Sequence, residues 1–251
     1  MRTRLGIFIL ALLLLPPAGL LLSGTEWSEL IARNATAQEN IPATLLTTLM
    51  LLGYVLISNH VIRLNTGSNP LKAQGNYFLV MAAASAALGW LLADLNLFAA
   101  SWTVQLGHTL VQLLLYTPLF ALLMPAVLST RALLGSFPGL LKRLARSIPL
   151  PAPSGETAAF SLVPIAMLGL LGGAAWPAAL FWLLWVAPLL LLIALQLLWH
   201  EGTIFGSLKT GDWGRVVCAA LAGLIVGNLA VITYQLNGGR LEIHLPNPLF
   251  E

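Results

Sequence analysis

Five side chains able to hydrogen-bond or move a proton recur in one apolar stretch: Gln105, His108, Thr109, Gln112 and Tyr116. Their spacing of i, i+3, i+4, i+7 and i+11 puts them on one stripe of a helix. A histidine flanked by amides and hydroxyls suits acid–base chemistry or the orientation of a polar head group. In a lipid solvent such a stripe must face the bundle interior or a wet cavity. Thr47, Thr48, Asp94 and Asn228 fall at similar expected depth. Asp94 and His108 flank one short turn, and a pair between them would fix the imidazole tautomer and raise its basicity. The candidate polar pocket is therefore His108, Gln112, Gln105, Thr109, Tyr116, Asp94 and Asn228. The competing reading is interhelical hydrogen bonding that holds the bundle together, at about 0.6 kcal/mol per contact.

A second group lies at the opposite expected end. Residues 196–215 read QLLWHEGTIFGSLKTGDWGR, and the apolar run stops at Trp199-His200-Glu201. With Asn59, His60 and Arg63 these form a candidate cytoplasmic-face cluster: His60, Asn59, Arg63, His200 and Glu201. Two histidines at similar depth permit metal or haem ligation. The plainer reading is that the helix ends because it reaches water. His60 and His108 are expected roughly 20 Å apart across a ~30 Å core, so they do not share a site. No zinc-type Cys/His spacing, P-loop or dinucleotide glycine fingerprint occurs. No metal site is expected, and no cofactor beyond the haem or quinone that the polar groups would admit. The single cysteine, Cys218, sits in an apolar run and reads as a packing residue.

These residues need elements to hold them, and composition says which. The 251-residue chain is 58% hydrophobic and 8% charged, where a soluble domain carries about 25% charged residues. Such a chain cannot cover a water-facing surface. Its apolar runs approach the ~20 residues that cross a bilayer. The expected fold is an all-α polytopic membrane bundle of about seven spans, at 5–23, 43–62, 77–95, 103–128, 158–175, 178–198 and 216–235. Pro16-Pro17 should kink the first of these. Met1-Arg2-Thr3-Arg4 and Ala35-Thr36-Ala37 resemble parts of a signal peptide, but the small-residue site lies far past the apolar run, which favours an uncleaved helix.

Orientation follows from Lys and Arg. With the N-terminus in the cytoplasm, Arg2, Arg4, Arg63, Lys72, Arg131, Lys142, Arg143, Arg146, Lys209 and Arg215 lie inside, and only Arg33 and Arg240 of the 12 basic residues lie outside. The C-terminus is then external. Within the longest inner loop, Leu133, Leu134, Phe137, Leu140, Leu141 and Leu144 share one arc of a helical wheel. Arg131, Lys142, Arg143 and Arg146 take the other arc. Residues 131–147 thus read as a cytoplasmic interfacial amphipathic helix against anionic headgroups, split or restarted at Pro138. Packing on the protein's own cytoplasmic face is the alternative. The pI near 9.4 expresses this orientation and not nucleic-acid binding.

Small residues mark close helix contacts: Ala219, Gly223 and Gly227, Gly169 and Gly173, and the run from Ala82 to Ala87. They suit a membrane-protein partner or a homo-oligomer. No charged side chain falls mid-span, which leaves a transporter without a coupling-ion site. Three functions follow in order. The first is an accessory or assembly subunit packing with other membrane proteins. The second is an enzyme or binding protein for a quinone, isoprenoid or lipid around His108. The third is a transporter. Short loops and the charge bias point to a bacterial inner membrane.

Overall fold

The computed structural model describes residues 40–99, 101–102 and 110–242. Six helices in this range are long and apolar enough to cross a membrane. They are α1 (Ile41–Thr66), α3 (Gly75–Ala99), α4 (Leu110–Gly135), α6 (Gly155–Ala175), α7 (Pro177–Leu198) and α8 (Gly214–Leu236). Two short helices, α2 (Pro70–Ala73) and α5 (Pro138–Leu144), lie in connections. Among the described residues there is no strand. The expected first span, 5–23, lies outside the described residues, so the chain is an all-helical membrane protein with six spans in the described range.

The helices start and stop where the backbone chemistry requires. Asn40 caps α1 by accepting the Ala43 amide at 3.0 Å. Gly67, at φ 76°, closes it in the left-handed conformation. The Asn40 side chain also donates to the Gly238 carbonyl at 2.7 Å, tying the start of α1 to the end of α8. α7 ends in a Schellman arrangement. The Glu201 amide reaches the Gln196 carbonyl at 2.8 Å, and the His200 amide reaches Leu197 at 3.1 Å. His200 takes the left-handed position, φ 55°.

Packing divides the bundle into two groups. Leu51 and Val55 of α1, Ala126 of α4 and Val226 of α8 form one buried core. Leu95 of α3, Ala166 and Leu170 of α6, and Leu184, Ala187 and Leu191 of α7 form another. The α3–α4 pair joins them. Its close approach depends on Gly89, because a Cβ there would collide with the Phe120 ring. Outward residues such as Leu49, Ile57, Leu79, Leu110 and Leu114 are exposed, as a lipid-facing surface demands.

The basic connections dock together at one end. The Ser147 and Leu150 amides donate to the Gly211 and Leu208 carbonyls at 3.1 and 3.0 Å. Gly211 has φ 76°, and a side chain there would strike the Ser147 carbonyl. The Trp213 amide donates to Leu144 at 3.0 Å, and its indole N–H to Ile148 at 2.8 Å. The expected amphipathic helix over 131–147 takes a different form. α4 continues through Arg131 to Gly135, and only Pro138–Leu144 makes a separate helix. The Leu-rich register of α4 simply extends past the end of the predicted span, and Pro138, which has no amide hydrogen, starts the next helix.

Candidate functional site

A cavity of about 580 Å³ opens in the half of the bundle opposite the basic connections. Its floor is Gly89, Leu92 and Ala93 of α3 with Tyr116, Leu119, Phe120 and Leu123 of α4. Phe181, Trp182 and Trp185 of α7 form one wall, and Ala230, Val231 and Tyr234 of α8 the other. Thr47, Ser101, Trp102 and Leu241 complete the lining. α7 and α8 face each other across this space without packing into an interface. Among the described residues, no lining side chain is acidic, basic or histidine.

Each wall is positioned by a specific contact. Asn96, buried near the end of α3, shapes the Ser101–Trp102 turn. Its carbonyl oxygen accepts the Ser101 and Trp102 amides at 2.9 and 3.3 Å, and its amide donates to the Trp102 carbonyl at 3.0 Å. That turn delivers Trp102 onto Trp185, with ring centroids 4.8 Å apart and planes 29° off parallel. The Trp185 indole N–H donates to the Ser101 hydroxyl at 3.2 Å. On the floor, Trp90 meets Phe120 edge-on at 5.6 Å and donates to Thr117 at 3.0 Å.

The backbone of α4 beside Phe120 is met by a hydroxyl from α3. The Ser85 hydroxyl of α3 donates to the Phe120 carbonyl at 2.5 Å and accepts the Met124 amide at 3.0 Å. It stands where a direct Met124-to-Phe120 bond would run, one residue before Pro125. A side chain inserted into the ladder beside a proline is a recognised cause of helix bending.

Polar atoms gather at one side of the cavity. Tyr234 of α8, Tyr116 of α4 and Thr47 of α1 all line it. The Thr44 hydroxyl donates to the Asn40 carbonyl at 3.1 Å, and Thr47 donates to Ala43 at 2.7 Å.

Of the residues singled out in the sequence, His108, Gln105 and Thr109 lie outside the described residues. Gln112 and Tyr116 are both buried on α4, and Tyr116 lines the cavity. Asp94 is half-buried beside the lining residue Ala93. Asn228 is on the outward face of α8, its amide donating to the Leu224 carbonyl at 2.8 Å. In the second cluster, Asn59 is buried, whereas His60, Arg63, His200 and Glu201 are exposed. Asn59 donates to Ser129 at 2.7 Å and Val55 at 2.9 Å and accepts the Leu71 amide at 3.1 Å. It joins α1, α4 and α2, and its bonding capacity is used there. His200 lies 3.8 Å from Glu156 in an exposed pair. α1 and α7 are not packed neighbours, so His60 and His200 sit on separate helices. Among the described residues no three His, Cys, Asp or Glu side chains converge for a metal. Arg131, Lys142, Arg143 and Arg146 are all exposed at the basic end.

Sequence reasoning missed Ser85, Asn96, Tyr234 and the tryptophan wall. The run Phe181-Trp182-x-x-Trp185 carried a readable signal, since three aromatics share one face at the start of an apolar helix. Comparison with protein-family models, with curated proteins and with solved structures finds no match for this chain.

Proposed function

We propose that the chain is a binding protein for a lipid-soluble molecule, held in the aromatic cavity between α7 and α8. One observation carries this reading: a space of about 580 Å³, walled by tryptophan, tyrosine and phenylalanine. Ligand sites of a few hundred Å³ with mostly apolar walls and few polar atoms are the usual form. Each CH2 group buried there from water contributes about 0.8 kcal/mol. We place the basic end in the cytoplasm of a bacterial cell, with Arg131, Lys142, Arg143 and Arg146 against anionic headgroups. The cavity then opens in the outer half of the bilayer. Gln112 belongs to the helix that forms its floor.

Native mass spectrometry and a visible spectrum of gently purified protein test the reading. The expected result is a stoichiometric apolar mass, lost in Ala230→Trp, which places an indole in the cavity. A variant that retains the same mass would remove the cavity as its site, and a haem band would redirect the assignment to the histidines.

A second reading, an accessory subunit, draws on α8. Among the described residues, Gly223 and Gly227 have nothing within 4 Å of where a Cβ would stand. With the exposed Asn228 they form an outward strip suited to another membrane helix. A co-purifying chain released by Gly223→Leu would support it.

A further inference from the structure

We propose that two copies of this chain pair in parallel along an exposed seam of α8, with the Asn228 carboxamides bonded to each other across the two-fold axis. This goes beyond the cavity reading and does not rest on it. The α8 residues that wall the cavity, Ala230, Val231 and Tyr234, are not on the seam.

Spacing defines the seam. Leu221, Ile225, Asn228, Ile232 and Gln235 follow one another at intervals of 4, 3, 4 and 3 residues. That alternation is the heptad repeat by which two helices wind together, side chains of one seated between those of the other. All five residues are exposed. The residues that pack inward, such as Cys218, Ala222 and Val226, occupy another face. A face meant for lipid alone would be apolar throughout. This one carries two carboxamides, one heptad apart.

Depth gives Asn228 the larger part. At 1.5 Å per residue it stands about 21 Å along a helix about 34 Å long, about 12 Å short of the far end. That places it within the hydrocarbon layer, where a polar amide loses its hydration with nothing in lipid to replace it. Gln235, one residue before the helix end, lies at the rim.

The bonding inventory chooses the partner. A carboxamide has two N–H donors and a carbonyl acceptor. Asn228 gives one N–H to the Leu224 carbonyl at 2.8 Å. Among the described residues that leaves one N–H and the oxygen. Such a group is complementary to itself: across a two-fold axis each amide donates once and accepts once, and opposite partial charges meet. Copies of one chain share a topology in the membrane, so their α8 helices run parallel. A parallel pair sets each seam position against its own equivalent. Asn228 and Gln235 are then matched together, whereas an unrelated helix would need amides at the same spacing of about 10 Å.

The test begins with oxidative cross-linking in isolated membranes, in a Cys218→Ser background. Leu221→Cys, Ile225→Cys and Ile232→Cys lie on the seam, and Ala220→Cys, exposed but off it, is the control. Covalent dimers are expected at the three seam positions and not at 220. Energy transfer between donor- and acceptor-labelled copies of Arg240→Cys, in the same background and diluted with lipid in vesicles, then measures association. Asn228→Leu is expected to weaken it about 3- to 18-fold, the range of interhelical hydrogen bonds in membranes, and Asn228→Gln to keep most of it. If the Asn228 variants do not fold, the cross-linking pattern decides. Equal cross-linking at 220, association unchanged in Asn228→Leu, or a monomer at every dilution overturns the proposal. Ile225→Cys cross-linked to a different protein also overturns it, by giving the seam to another partner. None of these outcomes touches the cavity reading, which the bound apolar mass decides.

Discussion

His200 shows how much one dihedral angle settles at the residue scale. A histidine beside a glutamate at the end of an apolar helix invites a proton relay or a ligand. At φ 55°, with two amides of its turn returned to α7 carbonyls, it occupies the place that glycine usually takes at a helix end. A side chain in the left-handed region carries a cost of about 1 kcal/mol. His200→Gly should therefore leave stability unchanged or raise it by up to about 1 kcal/mol, since relief of strain opposes the added freedom of the unfolded chain. Its exposed pair with Glu156 at 3.8 Å contributes little against that. Denaturation in mixed micelles measures it, and a loss beyond about 1 kcal/mol would show that the imidazole itself is needed.

At the scale of the element, α4 is where sequence and packing part company. Two prolines, Pro118 and Pro125, lie within it, yet the helix runs on to Gly135. The Ser85 hydroxyl from the neighbouring helix bridges the Phe120 carbonyl and the Met124 amide beside Pro125. Ser85→Ala should cost about 0.6 kcal/mol, with a ceiling near ~1.7. It should also shift the emission of the tryptophans around Phe120, because the floor of the cavity relaxes. Unchanged emission would mean that the bond from Ser85 does not position Phe120. The glycines divide in the same way. Gly169 and Gly173 meet Leu183, Leu184 and Ala187 of α7, whereas Gly223 and Gly227 meet nothing among the described residues. Identical spacing in the sequence thus serves an internal seam on α6 and an open strip on α8.

For the whole molecule, the distribution of charge gives the sharpest test. Arg63, Lys72, Arg131, Lys142, Arg143, Arg146, Lys209 and Arg215 lie on the ends and connections that dock together, and Arg240 alone of the described basic residues lies at the other end. Cys218 is the one cysteine and is buried, so Cys218→Ser provides a thiol-free background. Single cysteines introduced as Lys142→Cys and Arg240→Cys should label oppositely with a membrane-impermeant maleimide in intact cells. Labelling is expected only at 240, and labelling at 142 would invert the proposed orientation. The class of fold, the positions of six spans and the charge asymmetry were legible in the sequence alone, because each depends on summed hydropathy and charge along continuous segments. Span ends and the form of the basic connection were less so: Arg131 reads as part of a loop helix, but the Leu-rich register carries α4 past it. Partners across helices were not legible at all. Asn59 and Asn228 look alike in sequence. One is buried with its bonds made to Ser129 and Leu71, and the other is turned outward and bonded to its own helix. Which face of a helix meets a neighbour depends on the rotation and spacing of all the helices together. That is why the cavity, the convergence of Tyr116 and Tyr234 on it and the inserted Ser85 hydroxyl were decided only by the tertiary structure.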